Sequence, residues 1–414
     1  MNVLTITTWD SSGEQFNGYL VHQELLRQGH QSDMAVMHKE KDDSTIHILG
    51  SRLARFFDRT VIKVVEELLG IRCLLPISGW SLLLKKYYRD SEIIHLQMIH
   101  GNPFFSLLLI PLIGRHHRIV WTLHDPWMLT GHCVHPLDCT RWRSGCGDCP
   151  DLARTFRIAR DGTGLMWRLK ARVIASSNPT IVVASRWMQE MVRKSPVFSH
   201  LPCHLIPFGI EGTFADKMTR PSARQSLGIP ADATVIAFRY RGDAEPFKGV
   251  SYIEEALLKI RFDKPVYLLT IDQKGGLERL RDRYKVIELG WVEDRRTVIE
   301  ALTAADLFLM PSVAEAFGMM AIESMACGTP VIVFEGTALP DVIHAPQGGI
   351  AVPRDAGALA GAIEMVLGDR ELYESLVENG RRIVREEYSV EQYTQRHIDL
   401  YRQLTCEKEG AKQT

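Results

Sequence analysis

The sequence predicts an α/β protein made of two doubly wound, parallel-sheet domains, and three observations predict it. Apolar strand-like runs alternate with amphipathic helical patterns along most of the 414 residues, which is the pattern of βαβ units. The alternation comes in two series, one before and one after about residue 210. Between them lies IPFGIEGTFADKMTRPSARQ (206–225), where Pro, Gly and polar residues cluster as they do at a joint between domains.

The first series opens with NVLTITTW (2–9), followed by the amphipathic QFNGYLVHQELLRQG (15–29). The strand-like runs SDMAVMH (32–38), EIIHLQMIH (92–100) and RIVWTLHD (118–125) come next, and TIVVAS (180–185) leads straight into the helical SRWMQEMVRKS. In the second series the strands are TVIAFRYRG (234–242), PVYLLTI (265–271), KVIELGW (285–291), LFLMPS (307–312) and PVIVF (330–334), with helical patterns between them. The tail from 370 to 404 reads as helix. The domains expected are 1–207, 208–385 and a terminal helix, 386–414.

Composition narrows the function. Hydrophobic residues make up 45% and charged residues 24%, the balance of a globular protein with a large core. Lys+Arg (49) nearly equals Asp+Glu (50), so a nucleic-acid partner is not expected. The N-terminus reads as a strand and not as a signal peptide. The most apolar run, FFSLLLIPLI (104–113), is about half of what a bilayer span needs. A cytoplasmic protein is expected, with its eight cysteines reduced. The run 104–113, followed by GRHHR, is either a buried core helix or a peripheral membrane contact at the inner membrane face.

No standard phosphate loop is present. SGEQFNG, after the first strand, places Gly13 and Gly18 between strand and helix, where a helix N-terminus can face an anion. A tight turn is the alternative. More informative is EAFGMMAIESMACGTPVI (315–332), with two acids, Glu315 and Glu323, in an otherwise small and apolar stretch. Phe317-Gly318 precedes a helix expected over about 319–327, which Gly328-Thr329-Pro330 stops. Eight helical positions span roughly 12 Å, too far for two carboxylates to share a proton but suited to two contacts along one extended ligand. A helix-start acid and a solvated helix position are the plainer readings of Glu315 and Glu323.

The E-x7-E pattern, with F-G after the first acid and A-x-G-x-P-V-I after the second, resembles the signature of retaining glycosyltransferases of family 4, whose fold is GT-B: two Rossmann-like domains facing across a cleft. HLIPFGIE (204–211) resembles the family's interdomain segment, with Phe208 in place of Asn. FKGVSYIEEAL (247–257) and GWVEDRRTVIEALTAADLFLMPS (290–312) resemble its C-terminal domain, and the resemblance implies that the terminal helix, 386–414, crosses back to the N-terminal domain. The resemblance implies transfer of a hexosyl residue from a UDP- or GDP-sugar to a glycan, lipid-linked or small-molecule acceptor, with retention and without a catalytic metal. It implies that Glu315 binds hydroxyls of the donor sugar and Glu323 the ribose. The N–H groups of Phe317, Gly318 and Met319 then face the diphosphate, and Lys248 with Arg239 or Arg241 neutralises it. Val292, in GWVED, falls at the nucleotide base. The family's Arg–Lys spacing is shorter than here, because GDAEP is inserted between them.

In the first series, WTLHD puts His124 and Asp125 at a strand end, where the family has a histidine near the reacting sugar. His95, Gln97 and Ile99 alternate onto one face as core or acceptor-side residues. Cys133, Cys139, Cys146 and Cys149 follow, spaced C-x5-C-x6-C-x2-C. That spacing suits a structural zinc with four thiolate ligands, with His132 or His135 as a possible substitute for one of them. Free thiols, disulfides and an iron–sulfur cluster are the alternatives. The stretch around them is similar to bacterial polysaccharide glycosyltransferases of the colanic-acid type. The rival readings are a nucleotide-sugar epimerase or phosphorylase on the same fold, and a non-catalytic glycan-binding protein.

Overall fold

Thirteen strands, all in parallel pairings, build two sheets in the computed structural model, which describes residues 1–154, 156–212, 218–241 and 246–411. The first sheet contains β1 (Asn2–Trp9), β2 (Gln31–His38), β3 (Ile46–Ile48), β4 (Ile93–Leu96), β5 (Arg118–Leu123), β6 (Thr180–Val183) and β7 (Cys203–Leu205), in the order β3-β2-β1-β4-β5-β6-β7. The second contains β8 (Thr234–Tyr240), β9 (Val266–Asp272), β10 (Lys285–Glu288), β11 (Leu307–Met310), β12 (Val331–Phe334) and β13 (Ile350–Val352), in the order β10-β9-β8-β11-β12-β13. β4, β6, β11 and β12 are buried at every position. That explains why they read as continuous apolar runs and not as alternating ones.

The chain divides into two compact units. One is 1–209 together with 390–414, and the other is 210–389. Each has its own core: Leu4, Ile94, Trp121 and Trp127 belong to the first, and Phe238, Leu268, Leu309 and Phe334 to the second. Strand order reverses between β1 and β4 in one sheet and between β8 and β11 in the other. In doubly wound sheets ligands bind beyond the carboxyl ends of the strands at such reversals.

Several local expectations need correction. The helix expected over 15–29 spans Tyr19–Arg27, because Gly18 takes φ 92 at its N-cap. The continuous tail helix is two helices, Arg370–Glu387 and Val390–Ala411, broken at Tyr388. The second packs in the first unit, where Tyr401 Oη meets His95 Nδ1 at 2.6 Å. The run 104–113 is core: a 3-10 turn, Leu107–Leu109, leads into the helix Ile110–Gly114, and Phe104, Phe105 and Ile110 are fully buried. Residues 52–69, for which no element is expected from the pattern, form a helical segment treated below. The short strands β3, β7 and β13 also carry no periodic signal of their own.

Candidate functional site

The reversal between β8 and β11 gathers most of the predicted residues. The chain leaves β11 into a loop that carries Glu315 and enters the helix Met319–Cys327 through Gly318. Gly318 has φ 97, and a Cβ there would lie 2.3 Å from a methyl of Leu339, so only glycine fits. The backbone of Phe317, Gly318 and Met319 thus leads into the first turn of the helix. Phe317 is itself buried, edge-on to Tyr388.

Lys248 arrives from the neighbouring strand. It ends the short turn Pro246–Lys248 after β8. The inserted Gly242–Glu245 lies outside the described residues. Gly249, at φ 73, brings this turn against the β11 loop, where a Cβ would lie 2.0 Å from the Pro311 carbonyl. Val313 N–H donates to the Phe247 carbonyl at 2.8 Å and pins the two loops together. As a result Lys248 Nζ donates to Glu315 Oε2 at 3.1 Å, with both side chains mostly buried. The glycine after the lysine is therefore a packing requirement of the site.

Glu323 is not the solvated helix position that its spacing alone allows. It is 8% exposed, on a helix whose positions from Ala321 to Cys327 are all buried. Arg239 and Arg241 both turn to Asp272 at the end of β9, with Nε–Oδ2 distances of 2.5 and 3.5 Å. The side chain of Asp272 is 7% exposed, and its backbone takes φ 94. The guanidinium of Arg241 also lies 5.1 Å from the ring centroid of Trp291, which is 62% exposed. Val292 follows, half-buried, in the loop opened by Gly290. Asp272 and Trp291 are site neighbours that sequence reasoning missed. The acid that ends the strand LLTID was the available signal for the first.

Gly13 and His124 belong to the first unit, and Phe16 links them. A Cβ on Gly13, at φ 74, would lie 2.6 Å from the Phe16 ring. That ring tilts against His124 and Phe208, with centroids 5.8 and 5.6 Å away. Phe208 stacks on His124 at 5.5 Å. Phe208 is thus part of the wall around the histidine. His124 Nε2–H donates to Gln97 Oε1 at 2.7 Å, and Gln97 Nε2 reaches His95 at 3.1 Å. His95 in turn meets Thr122 Oγ1 at 2.7 Å. Burial lowers the pKa of His124 to about 4, against a smaller raising effect of Asp125. It is therefore neutral at pH 7. Burial pushes the Asp125 carboxyl up, but His100, 3.0 Å away, and the Trp127 N–H outweigh it and hold its pKa below the usual range.

The four cysteines are free thiols lining one small pocket, together with His132 and Trp142. Gly131 N–H donates to Cys146 Sγ at 3.2 Å. As they stand, no three His, Cys, Asp or Glu side chains among the described residues are arranged to hold a metal ion. Beneath the pocket Lys170 is fully buried, donating to the carbonyls of Trp127 and Thr130 at 2.6 and 3.0 Å.

Residues 219–383, which lie within the second unit, match the family model described as glycosyl transferases group 1. An uncharacterized glycosyltransferase of Methanocaldococcus jannaschii is 33% identical over 187 residues, 43% of this chain and 47% of that protein. The chain thus spans about half the length of this curated relative. A putative colanic acid biosynthesis glycosyl transferase of Escherichia coli is 23% identical over 291 residues, 69% of this chain and 68% of that one. Among solved structures, Anabaena HepE in complex with UDP-glucose superimposes with a TM-score of 0.68 at 14% identity, covering 97% of this chain and 99% of that one. The two parallel-sheet α/β units are those of the GT-B glycosyltransferase fold.

Proposed function

We propose that this protein transfers a hexosyl residue from a nucleoside-diphosphate sugar to a glycan, lipid-linked or small-molecule acceptor, with retention at the anomeric carbon. The observation that carries the reading is the Lys248–Glu315 contact at the strand-order reversal, beside the first turn of Met319–Cys327. The three features offer a diphosphate and a sugar what each needs. Lys248 and the N–H groups of Phe317, Gly318 and Met319 supply positive charge to the leaving phosphates, and that charge matters most as the glycosidic bond breaks. Glu315 accepts from vicinal sugar hydroxyls in charge-assisted bonds. In the free protein Lys248 and Glu315 hold each other in place.

Glu323 takes the ribose and Val292 the base. Of the two arginines, Arg241 suits the phosphates better, because its ion pair with Asp272 is the longer one. His124 is the histidine near the reacting sugar, where a neutral imidazole adds no charge of its own. The proton of the acceptor hydroxyl passes to the departing phosphate, which becomes the new anion, so no separate base is needed. A UDP-sugar donor and a role in polysaccharide assembly of the colanic-acid type draw their support from the HepE complex and the E. coli relative.

The test is a thermal-shift titration with UDP, GDP and ADP, followed by incubation of the matching nucleotide sugars with oligosaccharide acceptors. Binding of one diphosphate should raise Tm by linkage, and product should keep the donor's anomeric configuration. A protein that none of the three stabilises does not support the reading. Isomerised sugar without an acceptor points to an epimerase, and dependence on free phosphate to a phosphorylase. Donor binding without any transfer points to a glycan-binding protein.

We also propose a structural zinc at Cys133, Cys139, Cys146 and Cys149. His132, which lines the same pocket, supports it: the ring is buried, one nitrogen bonds the Arg154 backbone, and Nε2 has no hydrogen-bond partner. A backbone bond at one ring nitrogen leaves the other as a metal ligand or a support for one. Zinc would be held by these four thiolates and would order the loop that follows His124. Freshly purified, untagged protein should carry about one zinc per chain. Four titratable thiols and no stoichiometric metal would show free cysteines instead.

A further inference from the structure

One surface of the first unit has its polarity reversed. Residues 52–69 run as a single helical stretch, Arg52–Phe57, Asp58–Ile62 and Lys63–Leu69, with a π turn in the middle and right-handed helical backbone through both junctions. Ser51 caps its start and Gly70 its end. At about 1.5 Å per residue it is roughly 27 Å long.

A surface helix normally buries its apolar stripe. Here the only buried residues are acids, Asp58 and Glu66. Asp58 accepts from the N–H groups of Ile77 and Ser78, both at 2.9 Å. Glu66 accepts from those of Cys73, Leu74 and Leu75 at 2.7–2.9 Å. The stretch is therefore held to the domain by carboxylate–amide bonds. Leu53, Phe56, Phe57, Val61, Val64 and Leu68 recur at helical spacing on the outward side, with Leu53 81% and Phe56 67% exposed. The loop that Glu66 and Asp58 grip adds Leu75, Ile77, Trp80 and Leu84 to the exposed apolar surface. Most of the exposed large hydrophobic side chains of the described chain lie within this one segment.

The charge around this surface is mostly basic. Arg52, Arg59 and Lys63 are exposed on the helix, and Lys85 and Lys86 follow Leu84. Arg55 and Arg59 line a hollow with Lys39, His38 and one acid, Glu40. Two of the helix's three acids are turned inward. A second copy of this chain is a poor occupant, because a two-fold interface sets the same arginines and lysines against one another. An apolar face rimmed by basic groups and bearing Trp and Phe is the surface that an anionic bilayer takes. No helix among the described residues is long and apolar enough to cross a membrane.

We infer that residues 52–84 dock flat on the boundary between headgroups and acyl chains of an anionic phospholipid membrane, with Leu53, Phe56, Val64, Leu68 and Leu84 entering the acyl region and the basic rim meeting lipid phosphates. The inference is independent of the donor-site reading, and the mostly buried run 104–113 lies against this segment, with Leu107 N–H donating to the Cys73 carbonyl at 2.7 Å.

The test is flotation of the full chain with vesicles of phosphatidylcholine alone and of phosphatidylcholine mixed with phosphatidylglycerol. Three proteins are compared: wild type, L53Q/F56Q/V64Q/L68Q, and R52Q/R59Q/K63Q. All changes fall at exposed positions and keep helix-forming residues. Wild type should float with the anionic vesicles and less so at high salt. The apolar variant should lose at least about tenfold in vesicle affinity. The basic variant should lose its preference for phosphatidylglycerol. Failure of wild type to float with either vesicle overturns the inference, as does flotation of the apolar variant equal to wild type. A lipid-free dimer by light scattering that the apolar variant abolishes also overturns it, in favour of a second copy.

Discussion

The helix Met319–Cys327 and the helical stretch 52–69 both bury carboxylates, and comparing them shows what a buried acid by itself says about function. Glu66 and Asp58 are surrounded by backbone N–H groups, three for one and two for the other. Their lone pairs are used in holding the fold together, and they offer a ligand nothing. Glu315 faces the ammonium of Lys248 at the end of the sheet, beside a helix start. That arrangement is a charge pair next to a helix N-terminus, the end of a helix that favours an anion. The difference lies in which groups occupy the oxygens and not in how deeply the acid is buried.

The largest effect that sharpens the contrast is on turnover. Glu315→Gln should lower kcat by about a hundredfold or more, the loss typical of a removed polar contact in the transition state, while nucleoside diphosphate affinity is largely kept. Near wild-type turnover would put Glu315 in the same class as Glu66. The reciprocal change is Glu66→Ala, which leaves three backbone donors unpaired. It should cost about 3 kcal/mol or more of folding stability, read by urea denaturation, with diphosphate affinity in the surviving folded protein unchanged. A milder loss is expected at Glu323→Ala: about 1.5–3 kcal/mol in diphosphate affinity for one charge-assisted bond, measured by calorimetry. Equal affinity of mutant and wild type would make Glu323 another structural acid.

The smallest effect per group comes from pH. Burial lowers the pKa values of His22, His124 and His397 to about 4 in the folded first unit. An unfolded histidine titrates near 6.5, so below that pH the unfolded chain binds more protons. The stability these neutral histidines allow is complete above about pH 6.5. It declines as the pH falls from there toward about 4, at about 1 kcal/mol per histidine by about pH 5.5. Tm measured from pH 8 to pH 5 should drop in that window. A flat profile would show that these rings protonate in place.

Much of this protein can be read from local sequence. β8, β9, β11 and β12 are legible because strands buried on both faces must be continuously apolar. The helix Met319–Cys327 is legible because Gly318 and Gly328 bracket it in conformations that other residues avoid. The motif around Glu315 and Glu323 is contiguous, so the sequence carries it whole. What only the tertiary structure decided are relations between distant segments. Arg239 and Arg241 turn to Asp272, some thirty residues away, because β8 and β9 are neighbours in the sheet. The last helix joins the first unit through Tyr401 and His95, although nothing in its own periodicity names its partner. The stretch 52–69 carries the kind of apolar stripe that a surface helix ordinarily turns inward. The free N–H groups of the loop 73–78 attract its two acids instead, and those five hydrogen bonds turn the stripe outward. Hydrophobic spacing states that a helix has two faces, and the polar groups it meets in three dimensions settle which face is buried.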